Sequence, residues 1–194
     1  MLSLPEIQEH VIGKLTKGLL PSLTYHNVAH TLDVLKHVIE IAELEGISND
    51  EELLLLKVSA LYHDVGFVKV YSGHEETSCA IAMEELKNFG FTTDQIEKIC
   101  GMIRATRVPQ QPKTQLEEII CDSDLDYLGR DDFFEIGEGL FKEFFIQKIV
   151  ANEREWNMLQ LRFLENHCYF TNSAKQRRQQ AKQIHLEKIR EKLV

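Results

Sequence analysis

The stretch from residue 49 to residue 64 reads NDEELLLLKVSALYHD, an apolar segment that ends in a histidine and an aspartate. Asn49 or Asp50 can cap a helix here, and the two glutamates that follow lie in its first turn, where the helix dipole favours negative charge. The leucine-rich middle is apolar nearly all round, which is typical of a helix at the centre of a core. The stretch therefore predicts a buried helix that carries His63 and Asp64 at its carboxyl end.

Helical spacing continues on both sides of this segment. Apolar residues from Val28 to Ile39 step by four and three residues, as on one face of a helix, before Gly46 ends the run. Further helices are predicted over residues 75–89, 94–105, 116–128, 131–152, 153–167 and 173–193, with a break near Gly137 and Gly139 in the fourth of them. Since the sequence contains no convincing strand, we predict an all-α helical bundle rather than a doubly wound sheet.

Composition narrows the class of protein. The 194-residue chain carries a formal net charge of −9, which argues against nucleic-acid binding because phosphates require clustered Lys and Arg. Residues 1–20 lack the apolar run of a signal peptide, and no segment approaches the roughly 20 apolar residues that span a bilayer. The four cysteines are spread along the chain, which suits reduced thiols. We expect a cytoplasmic protein with neither nucleic acid nor membrane as partner.

Polar clusters interrupt the apolar pattern at two early points. In the first, which reads YHNVAHTLDV over residues 25–34, His26, His30 and Asp33 are four and three residues apart and share one helix face. The second is the His-Asp pair that ends the leucine-rich helix. An ionised Asp64 in that position is costly unless it is paired or bound to a cation. These two clusters therefore indicate a metal site.

A third cluster reads CDSDLDYL over residues 121–128 and follows an apolar pair, so one of its acids is expected to point inward. Asp122 and Asp126 are four residues apart and share a helix face, whereas Asp124 faces elsewhere. Helical geometry alone does not choose between Asp122 and Asp124, and at least one acid is expected to serve as a helix cap or first-turn residue.

Taken together, the order His…His-Asp…Asp resembles the HD-domain superfamily of metal-dependent phosphohydrolases. The string from Tyr25 to Val34 is also similar to the Tyr-His-Asn-x-x-His-x-x-Asp-Val of cyclic-nucleotide phosphodiesterases. The resemblance covers roughly residues 25–128 and implies an HD-domain, phosphodiesterase-like bundle. We choose Asp124 over Asp122 because the distal aspartate of the family usually follows a small residue and precedes Leu. The residues that the resemblance implies as ligands of a divalent metal ion are His30, His63, Asp64 and Asp124.

The same resemblance suggests roles for neighbouring residues. His26 matches the general acid that protonates the leaving oxygen, while a metal ion would lower the pKa of its bound water and Asp64 would bridge to a second cation. Asp33 would orient a metal-binding histidine from behind. His74 and Glu75 lie where two-metal relatives supply further ligands, although they also suit an ordinary helix start. We expect one tight metal site and an optional weaker second one, for which the candidates are His74, Glu75, Asp33 and Asp122.

The chain departs from the phosphodiesterase pattern where those enzymes have a further histidine, since Phe67 occupies that position. The glutamine that holds their purine cannot be placed either. The resemblance therefore supports the metal centre and hydrolysis of a phosphomonoester or phosphodiester rather than a cyclic nucleotide in particular. Small bacterial stand-alone HD hydrolases match better overall. His and carboxylate ligands suit Fe, Mn, Co, Ni, Zn or Mg.

We expect a small phosphorylated substrate, a nucleotide in the first instance, with a homodimer as an option for the assembly. At least one of four cations should contact the phosphate in the pocket: Lys69, Arg104, Arg107 or Arg130. The alternatives are a non-catalytic regulatory module that binds a nucleotide or metal, and a di-iron oxygenase of the HD type. The oxygenase needs more histidines than the chain offers.

For the organisation of the chain, we predict one HD-type domain over residues 1–194. Its metal-binding core spans about residues 20–150, and the helices of residues 151–194 pack on that core. From Thr171 onward the chain has seven Lys or Arg against two Glu. We interpret this excess as a helix face that packs on an acidic body, and the alternative is a basic wall beside an anionic substrate.

Overall fold

The structure is a computed structural model that describes residues 3–194. All regular structure in this part of the chain is helical, which confirms the predicted all-α class. The helices are α1 (Leu4–Gly18), α2 (Val28–Leu44), α3 (Asp50–Tyr62), α4 (His74–Asn88), α5 (Thr93–Ala105), α6 (Gln115–Asp124), α7 (Phe133–Ile146), α8 (Glu153–Asn166) and α9 (Asn172–Glu191), with short 3-10 helices at Val65–Val68 and Asp126–Gly129.

Helix α3 lies at the centre of the larger apolar core, as its sequence predicts. It packs against α1, α2, α5 and α6, and its Leu55, Leu56 and Leu61 are at most 1% exposed. The side chain of Asn49 accepts hydrogen bonds from the backbone N–H groups of Glu51 and Glu52, so the helix begins at a fixed residue. The helix runs to Tyr62, so His63 and Asp64 follow it directly at the edge of the core.

A second, smaller apolar cluster joins the helices that follow residue 125. Leu128, Phe133, Leu164 and Ile189 belong to it, and each is at most 2% exposed. It also includes Tyr25 from the segment before α2. Tyr25 and Leu125 of this cluster are next in the chain to His26 and Asp124, two residues of the candidate site described below. None of the helices within residues 3–194 combines the length and hydropathy that crossing a membrane requires.

The structure corrects several predicted helix boundaries. The helix predicted over residues 116–128 ends at Asp124, and a separate 3-10 turn follows it. The break predicted near Gly137 and Gly139 is absent from the described α7. A Cβ at Gly139 would lie 3.2 Å from the carbonyl oxygen of Thr24, whose hydroxyl donates to the Gly139 carbonyl at 2.6 Å. Gly139 therefore allows close packing instead of interrupting the helix.

Three arginines of α9 pair with acids on neighbouring elements, and Arg190 does so with Glu165 at 2.8 Å. Arg178 contacts Asp126 at 2.8 Å, and Arg177 contacts Glu40 at 3.2 Å. These contacts match the interpretation of a helix face that packs on an acidic body. None of the Lys or Arg of α9 lines the large cavity described below, within the part of the chain that the structure describes.

Replacement of Leu56 should reveal how much the fold depends on α3. Leu56→Ala removes a side chain that is 0% exposed, and we expect a loss of about 2–5 kcal/mol in the free energy of unfolding because a cavity remains. Leu44→Ala, at a position that is 56% exposed, should change it by less than about 0.5 kcal/mol. Urea denaturation of both variants measures the difference, and equal losses would contradict a central role for α3.

Candidate metal centre

Four side chains from separate parts of the chain converge at one point. His30 lies in the first turn of α2, His63 and Asp64 follow α3, and Asp124 ends α6. The Nε2 atoms of His30 and His63 are 3.3 Å apart. Asp124 Oδ1 lies 3.1 Å from His30 Nε2 and 3.6 Å from His63 Nε2. Two imidazole nitrogens and a carboxylate oxygen thus share a volume of ionic size, and Asp64 borders it.

Local hydrogen bonds fix the backbone of His30 and the ring of His63. Asn27 caps α2 by accepting from the backbone N–H groups of Ala29 and His30, which fixes His30 in the first turn. The Nδ1 of His63 donates to the carbonyl oxygen of Ala60 at 2.8 Å. Because Nδ1 is occupied in this way, Nε2 of His63 presents its lone pair to the cluster, as a metal-binding histidine requires.

Asp64 gives the clearest sign that a cation fits this site. Its Oδ2 atom is buried and has no hydrogen-bond partner among residues 3–194, although His63 Nε2 is 3.2 Å away and His30 Nε2 is 3.5 Å away. A buried carboxylate oxygen without a partner is costly in an apolar surrounding. A divalent cation held by the four side chains would remove that cost, so the residues present fit a metal ion.

The electrostatics of Asp124 agree with this interpretation. Burial by itself would raise the pKa of this carboxyl group, but the adjacent imidazoles of His30 and His63 lower the pKa to about 2. Asp124 is therefore ionised at neutral pH, and a metal ligand has to be ionised. Two histidines and two carboxylates suit several divalent metals, so the ligand set does not identify one of them.

His74 lies on the far side of Asp64 from the cluster. Its Nε2 is 3.3 Å from Asp64 Oδ1, and Glu75 Oε1 is 3.9 Å from the same nitrogen. The ring of Phe67 stacks on both His74 and His26, with centroid distances of 3.9 Å and 4.3 Å, and the two imidazole rings are themselves 6.1 Å apart. The two candidates for a weaker second metal position therefore stand beside the cluster, and Phe67 packs against both histidines.

Close packing around Gly66 fixes the relation between Asp64 and α4. A Cβ at Gly66 would overlap the carbonyl oxygen of His74, so only glycine allows this approach. The hydroxyl of Ser78 donates to the carbonyl of His63 at 2.7 Å and accepts from the N–H of Gly66 at 2.8 Å. These bonds hold the start of α4 against the metal-binding segment.

A buried carboxylate supports His26, and the sequence analysis did not identify it. Glu143 in α7 is 0% exposed. Its carboxylate accepts hydrogen bonds from His26 Nδ1 at 2.5 Å and from the Tyr71 hydroxyl at 2.9 Å. It also accepts from the backbone N–H groups of Tyr25 and His26 at 3.0 and 3.1 Å. Burial raises the pKa of Glu143, but these hydrogen bonds outweigh burial and lower it below its ordinary value. An ionised Glu143 thus fixes the His26 ring and leaves Nε2 available.

Asp33 and Arg130 do not take the positions predicted for them. Asp33 contacts neither His30 nor His63; its Oδ2 accepts from Arg130 Nη1 at 2.7 Å. Burial acts to raise the pKa of Asp33, but His37 and Arg130 lower it to about 2. Arg130 also binds Asp132 at 2.6 Å. Both residues belong to an ion-pair network beside the site rather than to the site itself.

Asp122 also lies away from the cluster. Its carboxylate accepts from the N–H of Phe170 at 2.9 Å, and from the N–H and hydroxyl of Thr171 at 2.7 Å each. These bonds tie α6 to the start of α9, which is a structural role. The structure therefore separates the two acids that helical spacing could not, since Asp124 faces the histidines and Asp122 faces the opposite way.

The remaining candidates for phosphate contacts also lie outside the cavity. Lys69 is exposed, and Arg104 and Arg107 bind Glu76 at 3.0 and 3.1 Å. Among the described residues, neither these three nor Arg130 lines the cavity beside the cluster. Arg162 of α8 does line it, and it lies outside the segment that carries the sequence resemblance. The structure therefore places none of the four predicted cations in the lining of this cavity.

The cavity beside the cluster has a volume of about 630 Å³. Asp64, Asp124, His26 and His74 line it together with residues of α7 and α8. A space of this size accommodates a small organic molecule. The carboxylates of the candidate metal ligands and His26 therefore border the cavity directly.

Comparison with known proteins agrees with this arrangement. A family model described as "HD domain" matches residues 27–131, a range that contains all four candidate metal ligands. The crystal structure of a predicted HD superfamily hydrolase from an uncultured Thermotogales bacterium is similar to the chain, with a TM-score of 0.63 and 20% identity over 97% of this chain and 90% of that one. At this identity the similarity shows the fold. No match was found among proteins with curated descriptions.

Two isosteric variants distinguish the neighbouring acids of α6. Asp124→Asn should lower the bound metal per chain by at least about tenfold after metal loading and desalting, because it removes an anionic ligand. Asp122→Asn should keep the wild-type metal content while lowering the free energy of unfolding. Elemental analysis and urea denaturation measure the two properties. Loss of metal in the Asp122 variant alone would reassign the ligand.

Proposed function

The chain belongs to the HD-domain family of metal-dependent hydrolases, and from this premise we propose that it hydrolyses a small phosphate ester with a divalent cation held by His30, His63, Asp64 and Asp124. The observation that carries the proposal is the buried, unpartnered Oδ2 of Asp64 beside two inward-facing imidazoles. When bound, the cation would act as a Lewis acid on the phosphoryl group and lower the pKa of water.

The proton transfer is assigned to His26. In the reaction, the oxygen of water forms a new bond to phosphorus and the bond from phosphorus to the alcohol oxygen breaks. His26 Nε2 gives its proton to the departing oxygen, while the attacking water loses a proton to bulk solvent, from which His26 is protonated again before the next turnover. Glu143 accepts from Nδ1 at 2.5 Å, so it holds the ring in place and stabilises the positive charge that the imidazole carries before the transfer. His26 is therefore the catalytic residue and Glu143 positions it.

We further propose that the four-ligand site is the tight one and that a second cation, where present, binds weakly between Asp64 and His74. The 3.3 Å distance from Asp64 Oδ1 to His74 Nε2 supports such a position. The stacking of Phe67 on the His74 ring disfavours strong binding there, because the ring restricts reorientation of the imidazole.

A substrate screen tests the proposed reaction class. The purified chain would be loaded in turn with Mn²⁺, Co²⁺, Ni²⁺, Zn²⁺ and Mg²⁺ and offered nucleotides, cyclic nucleotides, alkyl phosphates and aryl phosphates. We expect release of phosphate or alcohol from at least one class by the wild type, and none by Asp64→Ala, which loses a metal ligand. The absence of hydrolysis across the whole panel would favour a regulatory module that binds without turnover.

Replacements at His26 and Glu143 test the proton-transfer pair. His26→Ala should keep its metal and lower kcat by about 10²–10⁴-fold, as expected for loss of a general acid. Glu143→Gln should lower kcat by about tenfold or more, because a neutral amide no longer supports a charged imidazole. In the double variant, Glu143→Gln should add no further loss.

Metal content measured alongside kcat is the control for these variants. If the effects of the two replacements multiply in the double variant, Glu143 acts independently of His26, and its role is structural. If His26→Ala retains full activity, His26 takes no part in the reaction.

A further inference from the structure

The lining of the cavity beside the candidate metal centre is of two chemical kinds. Carboxylates and imidazoles contribute one part, among them Asp64, Asp124 and His26. The part that α7 and α8 contribute, called the apolar wall below, is dominated by large apolar side chains: Leu140, Phe144, Trp156, Leu159, Phe163 and Leu164. Both parts line the same cavity, so the apolar wall does not form a separate groove.

Polar groups are scarce on this wall. Among the described lining residues from Phe133 onward, Gln160, Arg162 and Asn166 carry polar side chains, and Trp156 adds one indole N–H. The amide of Gln160 donates to Asn157 at 3.4 Å, and that of Asn166 donates to the carbonyl of Arg162 at 2.7 Å. Arg162 is the one Lys or Arg among the described residues that line the cavity. Apart from the Arg162 guanidinium and the Trp156 indole N–H, the wall thus offers few free donors or acceptors to a ligand.

This scarcity decides which kind of ester the cavity suits. A nucleotide brings ribose hydroxyls and the polar edge of a base, and each polar group that is buried without a partner weakens binding by about 5- to 150-fold. A hydrocarbon chain brings no such groups. Its affinity instead rises by about fourfold for each methylene removed from water. The volume of about 630 Å³ leaves room for a substituent well beyond a methyl group.

On these grounds we infer that the substrate is a phosphate ester of an apolar alcohol, with its phosphoryl group at the four-ligand cluster and its hydrocarbon part along α7 and α8. This inference rests on the proposed phosphoester hydrolysis and narrows it. It replaces the nucleotide that the sequence resemblance suggested, because the apolar wall lies outside the residues that carry the resemblance.

Binding of non-hydrolysable phosphonates tests the inference without depending on turnover. Trp156 is the only tryptophan in the chain, and it lines the cavity, so its fluorescence reports binding. Methyl-, butyl- and octylphosphonate, kept below their micelle concentrations, would be titrated into the Mn²⁺-loaded chain beside AMP. We expect Kd to fall by about fourfold per methylene until the cavity is full. A flat series, or tighter binding of AMP than of octylphosphonate, would overturn the inference.

Turnover of the matching alkyl phosphates separates this inference from the proposed function. If octylphosphonate binds as expected but neither octyl phosphate nor any other ester is hydrolysed, the proposed reaction is wrong while the apolar site stands. If phosphate esters are hydrolysed at rates and KM values that do not depend on chain length, the reaction stands and the inference fails. The Asp64→Ala variant serves as the blank in both assays.

Two adjacent phenylalanines of α7 provide a matched pair of variants. Phe144 lines the cavity, whereas Phe145 is 53% exposed and does not line it. Phe144→Asn should lower the ratio of octyl to methyl affinity by at least about tenfold, and Phe145→Asn should leave that ratio as in the wild type. The ratio is insensitive to the fraction of folded chain. Leu159→Asn gives a second test on α8, and an unchanged ratio in both cavity variants would refute the proposed location of the chain.

Discussion

The buried carboxylate oxygen Oδ2 of Asp64, which has no hydrogen-bond partner among the described residues, is the constraint on which the rest of the structure depends. Asp64 follows the central helix α3, and its Oδ2 faces the imidazoles of His30 and His63, the second of which is held through Nδ1 by the Ala60 carbonyl. A carboxylate in such a place is tolerated only if a positive charge meets it. The packing of α2, α3 and α6 brings the other candidate ligands, His30, His63 and Asp124, next to Asp64.

The four candidate ligands lie at or next to the ends of helices rather than in their middles. His30 follows the cap of α2, His63 and Asp64 follow the last turn of α3, and Asp124 is the last residue of α6. Each end is fixed by contacts that have nothing to do with the metal, such as the Asn27 cap and the Ser78 hydroxyl. The ligands are therefore largely positioned before any cation binds, which reduces the ordering that binding has to impose.

Local sequence patterns could predict the class of fold and the ligand clusters, because caps, helical periodicity and a costly buried acid are local properties. Pairing across the chain is not local. Glu143 stands 117 residues from His26, and its only signal is an acid between large apolar residues in the run Phe141–Phe145. Asp122 and Asp124 could not be separated either, because the direction in which each points depends on where Thr171 packs. Likewise, Arg130 could not be excluded from the pocket without knowledge of its contact with Asp33.

One part of the candidate site lies within the range that matches the family model, and the other part lies outside that range. The candidate metal ligands lie within residues 27–131, which match the family model, whereas the apolar wall of the cavity comes from α7 and α8, after that range. Glu143 belongs to α7 as well, so the helix that contacts His26 also lines the cavity. A change in the packing of α7 would therefore alter both the shape of the cavity and the orientation of His26. The family match thus bears on the candidate metal centre, whereas the proposed choice of ester rests on the C-terminal helices.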